Sequence, residues 1–237
     1  DKDAPVVLAG NGPLLLLLAG HLLDAGVRIA AWLDTGSLSQ RLLSGAAMPA
    51  ALLDPPYLGK GLRMAMRVLR GGVPVIRNAR DIRALGADSL EKVSYAAKGE
   101  TRELPAAVLL RHEGIIPRVQ ICNALGARLR WDRVQRCWYP DVDANGRPSL
   151  DGLYVAGDGA YVHGGDASRL KGWLAGIDAA RRLGVISPAE AGRRAAGARR
   201  KLAVLRPARG FLRYVFAPDP KIFDVPDETL VCRCECV

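Results

Sequence analysis

Residues 5–34 constrain this chain more than any other stretch. Pro5-Val-Val-Leu-Ala9 is an apolar run of strand length, and Gly10-Asn-Gly12-Pro13 is a tight turn. Leu14 to Asp24 reads as a helix stopped by Gly26, and Val27-Arg-Ile-Ala-Ala-Trp-Leu33 is a second strand ended by Asp34. Strand, helix and strand within about 30 residues is the length of a βαβ crossover, which makes the two strands parallel. Parallel sheets need both faces covered, so the expected fold class is α/β with a Rossmann-like parallel sheet. Gly10 and Gly12 fit the first two glycines of a dinucleotide fingerprint, but Leu15 holds the third position. Asp34 ends the second strand, where an acid would bond an adenosine ribose and favour NAD over NADP. Two readings stay open: a nicotinamide nucleotide site, or a Rossmann-like unit kept for its fold.

Tyr57 to Leu69 follows as a helix with a packing stripe at Leu58, Leu62, Met66 and Leu69, and Val73 to Ile76 is a third parallel strand. Ala79 to Ala87, Lys92 to Ala97 and Thr101 to Leu104 suggest a small antiparallel unit turning at Lys98-Gly99. Ala106 to Leu110 is expected as a further buried strand, with a boundary at residue 111. His112 follows that strand end, where it either faces a cofactor or serves as a structural hydrogen-bonder. Residues 115–150 are expected to be loop-rich, with Cys122 and Cys137 buried and inert because they lack CxxC spacing.

A second corner repeats the first. Leu153 to Ala156 reads as a strand running into Gly157-Asp158, a glycine-rich turn reaches Gly164-Gly165, and a helix with Leu170, Trp173, Leu174 and Ile177 on one face runs to about Gly184. In an open α/β sheet a ligand sits past the carboxyl end of a strand, at a helix N-terminus. Asp158 there can accept hydrogen bonds from sugar-like hydroxyls. Ser187-Pro-Ala-Glu190 is a capping box opening a basic helix to about Leu205. A short amphipathic piece, Phe211 to Phe216, and a proline-marked linker precede Cys232-Arg-Cys234-Glu-Cys236.

The formal net charge is +10 over 237 residues, but the arginines are spread out, with one cluster at Arg193 to Lys201, which argues against a nucleic-acid partner. No run is long enough to span a bilayer, and the five cysteines do not form a secreted disulfide framework. A cytoplasmic chain is expected, free or attached to a membrane within a complex. It starts at Asp1 with a strand almost at once and stops within a cysteine cluster, as a piece of a longer protein would.

The run Gly152-Leu-Tyr-Val-Ala-Gly-Asp158-Gly, with Gly164 and Gly165, resembles the second FAD-binding motif of two-dinucleotide-domain flavoproteins. That resemblance implies that Asp158 bonds the ribityl or phosphate end of FAD and that the following helix points at the isoalloxazine. Residues 5–185 resemble the nicotinamide domain and returning FAD-domain half of pyridine nucleotide-disulfide oxidoreductases. Within that superfamily, His112-Glu-Gly-Ile-Ile-Pro117 and Trp131-Asp-Arg-Val-Gln-Arg-Cys137 resemble the alpha subunits of opine oxidases and hydrogen cyanide synthase. These are partnered by a beta subunit of amino-acid-oxidase type. Val231-Cys232-Arg-Cys234 resembles the opening of a bacterioferritin-associated-ferredoxin module, which implies Cys232 and Cys234 as ligands of a [2Fe-2S] cluster whose second pair lies beyond Val237. Cys236 departs from that pattern, and the first FAD motif is missing from this stretch.

The resemblance implies four parts: a nicotinamide-type domain at 1–111, the C-terminal half of an FAD domain at 112–185, a helical segment and linker at 186–229, and the start of a cluster module at 230–237. It also implies an FAD-dependent oxidoreductase, in a hetero-oligomer, that oxidises a CH–NH bond of an amino acid or opine. Two alternatives remain: an NAD(P)H-dependent flavin reductase feeding an iron–sulfur cluster, and a basic, non-enzymatic binding protein. The cofactor-binding candidates are Gly157, Asp158, Gly164, Gly165, Gly10, Gly12 and Asp34, and no residue is expected to be catalytic.

Overall fold

A computed structural model describes residues 4–46, 48–52, 55–225, 227–228 and 230. The chain forms β1 (Val6–Ala9), α1 (Pro13–Asp24), β2 (Ile29–Asp34), α2 (Leu38–Ala46), α3 (Met48–Ala51), α4 (Pro55–Arg70) and β3 (Val75–Arg77). It continues with β4 (Arg80–Leu85), β5 (Lys92–Ala97), β6 (Glu100–Pro105) and β7 (Val108–Arg111). The last elements are α5 (Gln120–Ala124), β8 (Leu129–Asp132), β9 (Cys137–Pro140), α6 (Gly165–Arg182) and α7 (Pro188–Val215).

The expected α/β class holds. A parallel sheet has the order β3-β2-β1-β7, with Val7 opposite Ala31 and Leu109. Successive side chains of a strand point to opposite faces, and β1 uses both. Val6 and Leu8 pack with Leu15 and Ala19 of α1 and Val68 of α4. Val7 and Ala9 pack with Val93, Tyr95 and Ala97 of the antiparallel β4-β5-β6 meander. Leu15 is 1% exposed, so the residue in the third fingerprint position belongs to the core between α1 and the sheet. A third core joins Leu170, Leu174 and Ile177 of α6 to Ala191, Ala195 and Ala198 of α7. Ser187 caps α7, its hydroxyl accepting the Glu190 N–H at 3.2 Å.

Three expectations need correction. Leu153 to Ala156 is half-buried, but it is not a strand: Val155 N–H donates to Gly146 O at 2.7 Å, and among the described residues no ladder partner exists. An extended segment becomes a strand only against a neighbour, and no described strand lies beside this one. The run from Ala106 yields β7, which is an edge strand with Val108 40% exposed, because only β1 lies beside it. Residues 115–150 are loop-rich as expected, and within them α5 and the β8-β9 hairpin form, the latter pairing Trp131 with Trp138 across the strands. The helix expected to stop near Leu205 continues through Pro207 to Val215, with α2 and α3 packed on it.

Candidate functional site

At the second corner the chain leaves the extended Leu153–Ala156 segment through Gly157 (φ +65°) and enters α6 through Gly164 (φ +81°). Both glycines hold a left-handed backbone that side chains disfavour. Among the described residues no side chain caps α6, so the N–H groups of its first turn are left for another acceptor. A Cβ on Gly165 would meet nothing within 4 Å, which leaves room at that helix end. Asp158 is exposed, and its Oδ1 accepts the Ser168 hydroxyl at 2.9 Å.

A cleft of about 1090 Å³ opens beside this corner. It is bounded by Leu14 and Leu17 of α1, Tyr139 of the hairpin, Gly164 and Ala167 at the start of α6, and Leu202 of α7. At its wall lies a buried polar network. Asp132 is 3% exposed and accepts from the Tyr161 hydroxyl, the Arg213 guanidinium, Val134 N–H at 2.8 Å and Gln135 N–H at 3.0 Å. Burial works to raise the Asp132 pKa, but the bonds from Arg213, Tyr161 and the backbone together hold it below the usual carboxylate value. Burial, and then the bond to Asp132, push the Tyr161 phenol well up. Burial pushes the Cys137 thiol to about 11, and burial also raises Cys122, which makes both poor nucleophiles.

Tyr161 stands edge-on to Tyr139 at 5.2 Å between ring centres and lies 4.7 Å from the His163 ring. His163 Nδ1 is 2.8 Å from Lys171 Nζ. Sequence reasoning does not single out Asp132, Tyr161, His163, Lys171 or Arg213. The available signal is Lys171, the one charge on a stripe of α6 otherwise made of Gly164, Ala167 and Leu174.

The first corner is built differently. The structure brings Gly10, Gly12 and Asp34 together at the carboxyl ends of β1 and β2, but other parts of the chain fill the space. A Cβ on Gly10 (φ +123°) would lie 2.1 Å from His112 O, and one on Gly12 would lie 2.1 Å from His112 Cδ2. His112 therefore packs onto the glycine turn, with Gly12 N–H donating to its carbonyl at 2.9 Å. Its Nε2 is buried without a partner among the described residues, and burial lowers its pKa. Asn11 Nδ2 donates to Val215 O at 3.1 Å and Ala217 O at 3.4 Å. Arg80 donates to Thr35 O at 2.6 Å and pairs with the buried Asp219 at 2.8 Å. Asp34 Oδ1 accepts Gly36 N–H at 2.8 Å. Residues 215–219 thus lie on the turn where a dinucleotide would approach.

Cys232 and Cys234, like Cys236, lie outside the described residues. Among the described residues no group of three His, Cys, Asp or Glu is placed to hold a metal ion, and no helix is long and apolar enough to cross a membrane.

The opine oxidase alpha-type (A) subunit from Agrobacterium tumefaciens (strain Ach5) is 39% identical over 98% of this chain and 46% of its own length. The Rhizobium meliloti protein of the same name is 36% identical over 98% of this chain and 44% of its own. The HcnB subunit of hydrogen cyanide synthase from Pseudomonas protegens is 29% identical over 98% and 51%. The chain therefore spans about half the length of the curated relatives it matches. Among solved structures, the flavoprotein disulfide reductase RclA from Escherichia coli is similar in fold, with a TM-score of 0.51 at 17% identity over 77% of this chain and 36% of that one. No family model matches the chain.

Proposed function

We propose that this chain, a homologue of opine oxidase alpha-type subunits that spans about half of their length, is part of an FAD-dependent oxidoreductase and holds the ring-bearing end of the flavin. The observation that carries this reading is the uncapped N-terminus of α6, reached through two left-handed glycines and opening on a cleft. Its first-turn N–H groups would meet the electron-rich edge of the ring, and Asp158 would accept from a polyol hydroxyl. Gly157 and Gly164 would let the cofactor lie against the backbone. Tyr139 and Tyr161 would wall the cleft and exclude water. FAD, when bound, supplies the capacity to accept a hydride and release electrons singly.

On this reading residues 1–111 form the nicotinamide-type domain, 112–185 the returning half of the FAD domain, 186–229 a helical segment and linker, and 230–237 the start of a [2Fe-2S] module held in part by Cys232 and Cys234. The substrate is an amino acid or opine whose CH–NH bond is oxidised, and the partner is a beta subunit of amino-acid-oxidase type. The whole would act in the cytoplasm, free or attached to a membrane within its complex. What favours this over a reductase fed by NAD(P)H is the first corner, where His112 packs against Gly10 and Gly12 and the carbonyls of Val215 and Ala217 accept from Asn11 between them.

The test uses the full-length protein with its partner subunit. Its flavin should bleach with an opine or amino acid such as proline or glycine and stay oxidised with NADH or NADPH. Rapid bleaching by a nicotinamide nucleotide overturns the reading, as does a full-length protein that holds no FAD.

A further inference from the structure

The stripe of α6 facing the cleft is Gly164, Ala167, Lys171 and Leu174, residues three or four apart on one helix face. Three of the four are small or apolar, and the fourth carries a charge. Placing an ammonium on such a stripe costs it water, and burial draws the Lys171 pKa below its usual value while Asp158 pulls the other way. Its hydrogen-bond partner is a ring nitrogen, His163 Nδ1 at 2.8 Å. The same Nδ1 lies 3.2 Å from the Tyr161 carbonyl oxygen, so the ring is held against its own backbone where it faces Lys171. The ring is held in turn by Tyr161 at 4.7 Å, and Tyr161 is anchored through its hydroxyl to the buried Asp132. A carboxylate bonded to the lysine would neutralise it, whereas an imidazole aims the nitrogen without supplying a counter-charge of its own.

We propose that Lys171 is a flavin-contacting cation, aimed by His163 at the oxygen-bearing edge of the isoalloxazine, and that it acts with the N-terminus of α6. This rests on the FAD reading above. Two positive centres on one edge of the ring favour the state with more electron density there. They therefore bias the bound flavin toward reduction, a property of this chain's own side chains that is separate from turnover. His163 is the positioning residue, because it acts through Lys171.

The experiment is a redox titration of the FAD in the full-length protein with its partner, comparing wild type with Lys171→Met and Lys171→Arg. Met keeps the bulk of the side chain and removes its charge, while Arg keeps the charge. Lys171→Met should disfavour the reduced flavin tenfold or more, a shift of about 30 mV to more negative potential for a two-electron couple. Lys171→Arg should stay within threefold of wild type. An unchanged potential in Lys171→Met at equal FAD content overturns the proposal and leaves the FAD reading standing. Loss of FAD from the Met variant alone supports it, and loss from both variants assigns Lys171 to packing and overturns it. A wild-type protein without FAD overturns both readings. His163→Gln, which keeps an acceptor, should retain the wild-type potential, and His163→Leu should move it in the same direction as Lys171→Met. A wild-type potential in His163→Leu overturns the aiming role.

Discussion

At Gly10–Gly12 and again at Gly157–Gly165, an apolar extended segment runs into glycines and then into a helix, yet the two corners are filled from different sources. At the first, Gly10 and Gly12 are both crowded by His112, and the chain returns after α7 to cover the turn through Asn11 and Arg80. At the second, the space in front of Gly165 is open, the helix has no side-chain cap among the described residues, and a cleft lies beside it. A glycine turn reports that something approaches the backbone closely. Whether that is a ligand or the protein itself is decided by residues far away in sequence.

The sharpest way to break this contrast is to add the same methyl group at each corner. Gly10→Ala puts a Cβ into the His112 carbonyl and forces a left-handed backbone on alanine. It should cost about 3 kcal/mol or more in urea denaturation. Gly165→Ala, at the open corner, should change stability by less than about 0.5 kcal/mol. Equal stability of the two variants would mean that His112 does not pack on the first turn.

The part of this molecule legible in the sequence is the part set by local periodicity. The β1-α1-β2 crossover, the meander turning at Lys98-Gly99 and the Ser187 cap of α7 follow from alternation, glycine stops and capping chemistry. Most of what escapes depends on contacts between distant segments. Leu153–Ala156 has a strand's composition, but composition cannot tell a segment whether a neighbour exists. The hairpin around Trp131 and Trp138 has no tight two-residue turn to announce it. Asp132 looks like any loop aspartate, and only the return of Arg213, 81 residues later, makes it a buried network centre. The same return places residues 215–219 on the fingerprint, which residues 5–34 alone do not foretell.

Asp132 links the two corners, since it holds Tyr161 on the cleft side and Arg213 just before the covering segment. Asp132→Asn leaves Arg213 without its counter-charge. Because Arg213 is partly exposed, the cost should be about 2 kcal/mol near neutral pH, less than for a fully buried pair. The folded pKa of Asp132 lies below its unfolded value. Its contribution is therefore complete above the ordinary carboxylate range and is lost as pH falls through the depressed folded value. Wild type should lose stability on acidification below about pH 4, and the Asn variant should lose less. Hydrogen exchange at Gly12 N–H should also quicken in the variant, because the segment covering the first corner loses its anchor. Unchanged exchange there would show that the cover is held by Asn11 and Arg80 alone.

Asp158→Asn should have the smallest effect on stability and the most specific effect on function. The carboxylate is exposed and accepts from the Ser168 hydroxyl, so folding should change by less than about 0.5 kcal/mol. If the corner holds the flavin's polyol, replacing the charged acceptor removes a charge-assisted hydrogen bond of about 1.5–3 kcal/mol, or roughly ten- to a hundredfold in FAD affinity of the full-length protein. An exposed aspartate kept for folding would show the reverse, with a loss of stability and unchanged FAD binding. Asp34→Asn supplies the control. Its carboxylate accepts Gly36 N–H at a corner already covered by the chain, so FAD affinity should stay at the wild-type value. The two variants differ only in which corner loses its charge, so the ratio of their FAD affinities measures how far one corner is open and the other closed.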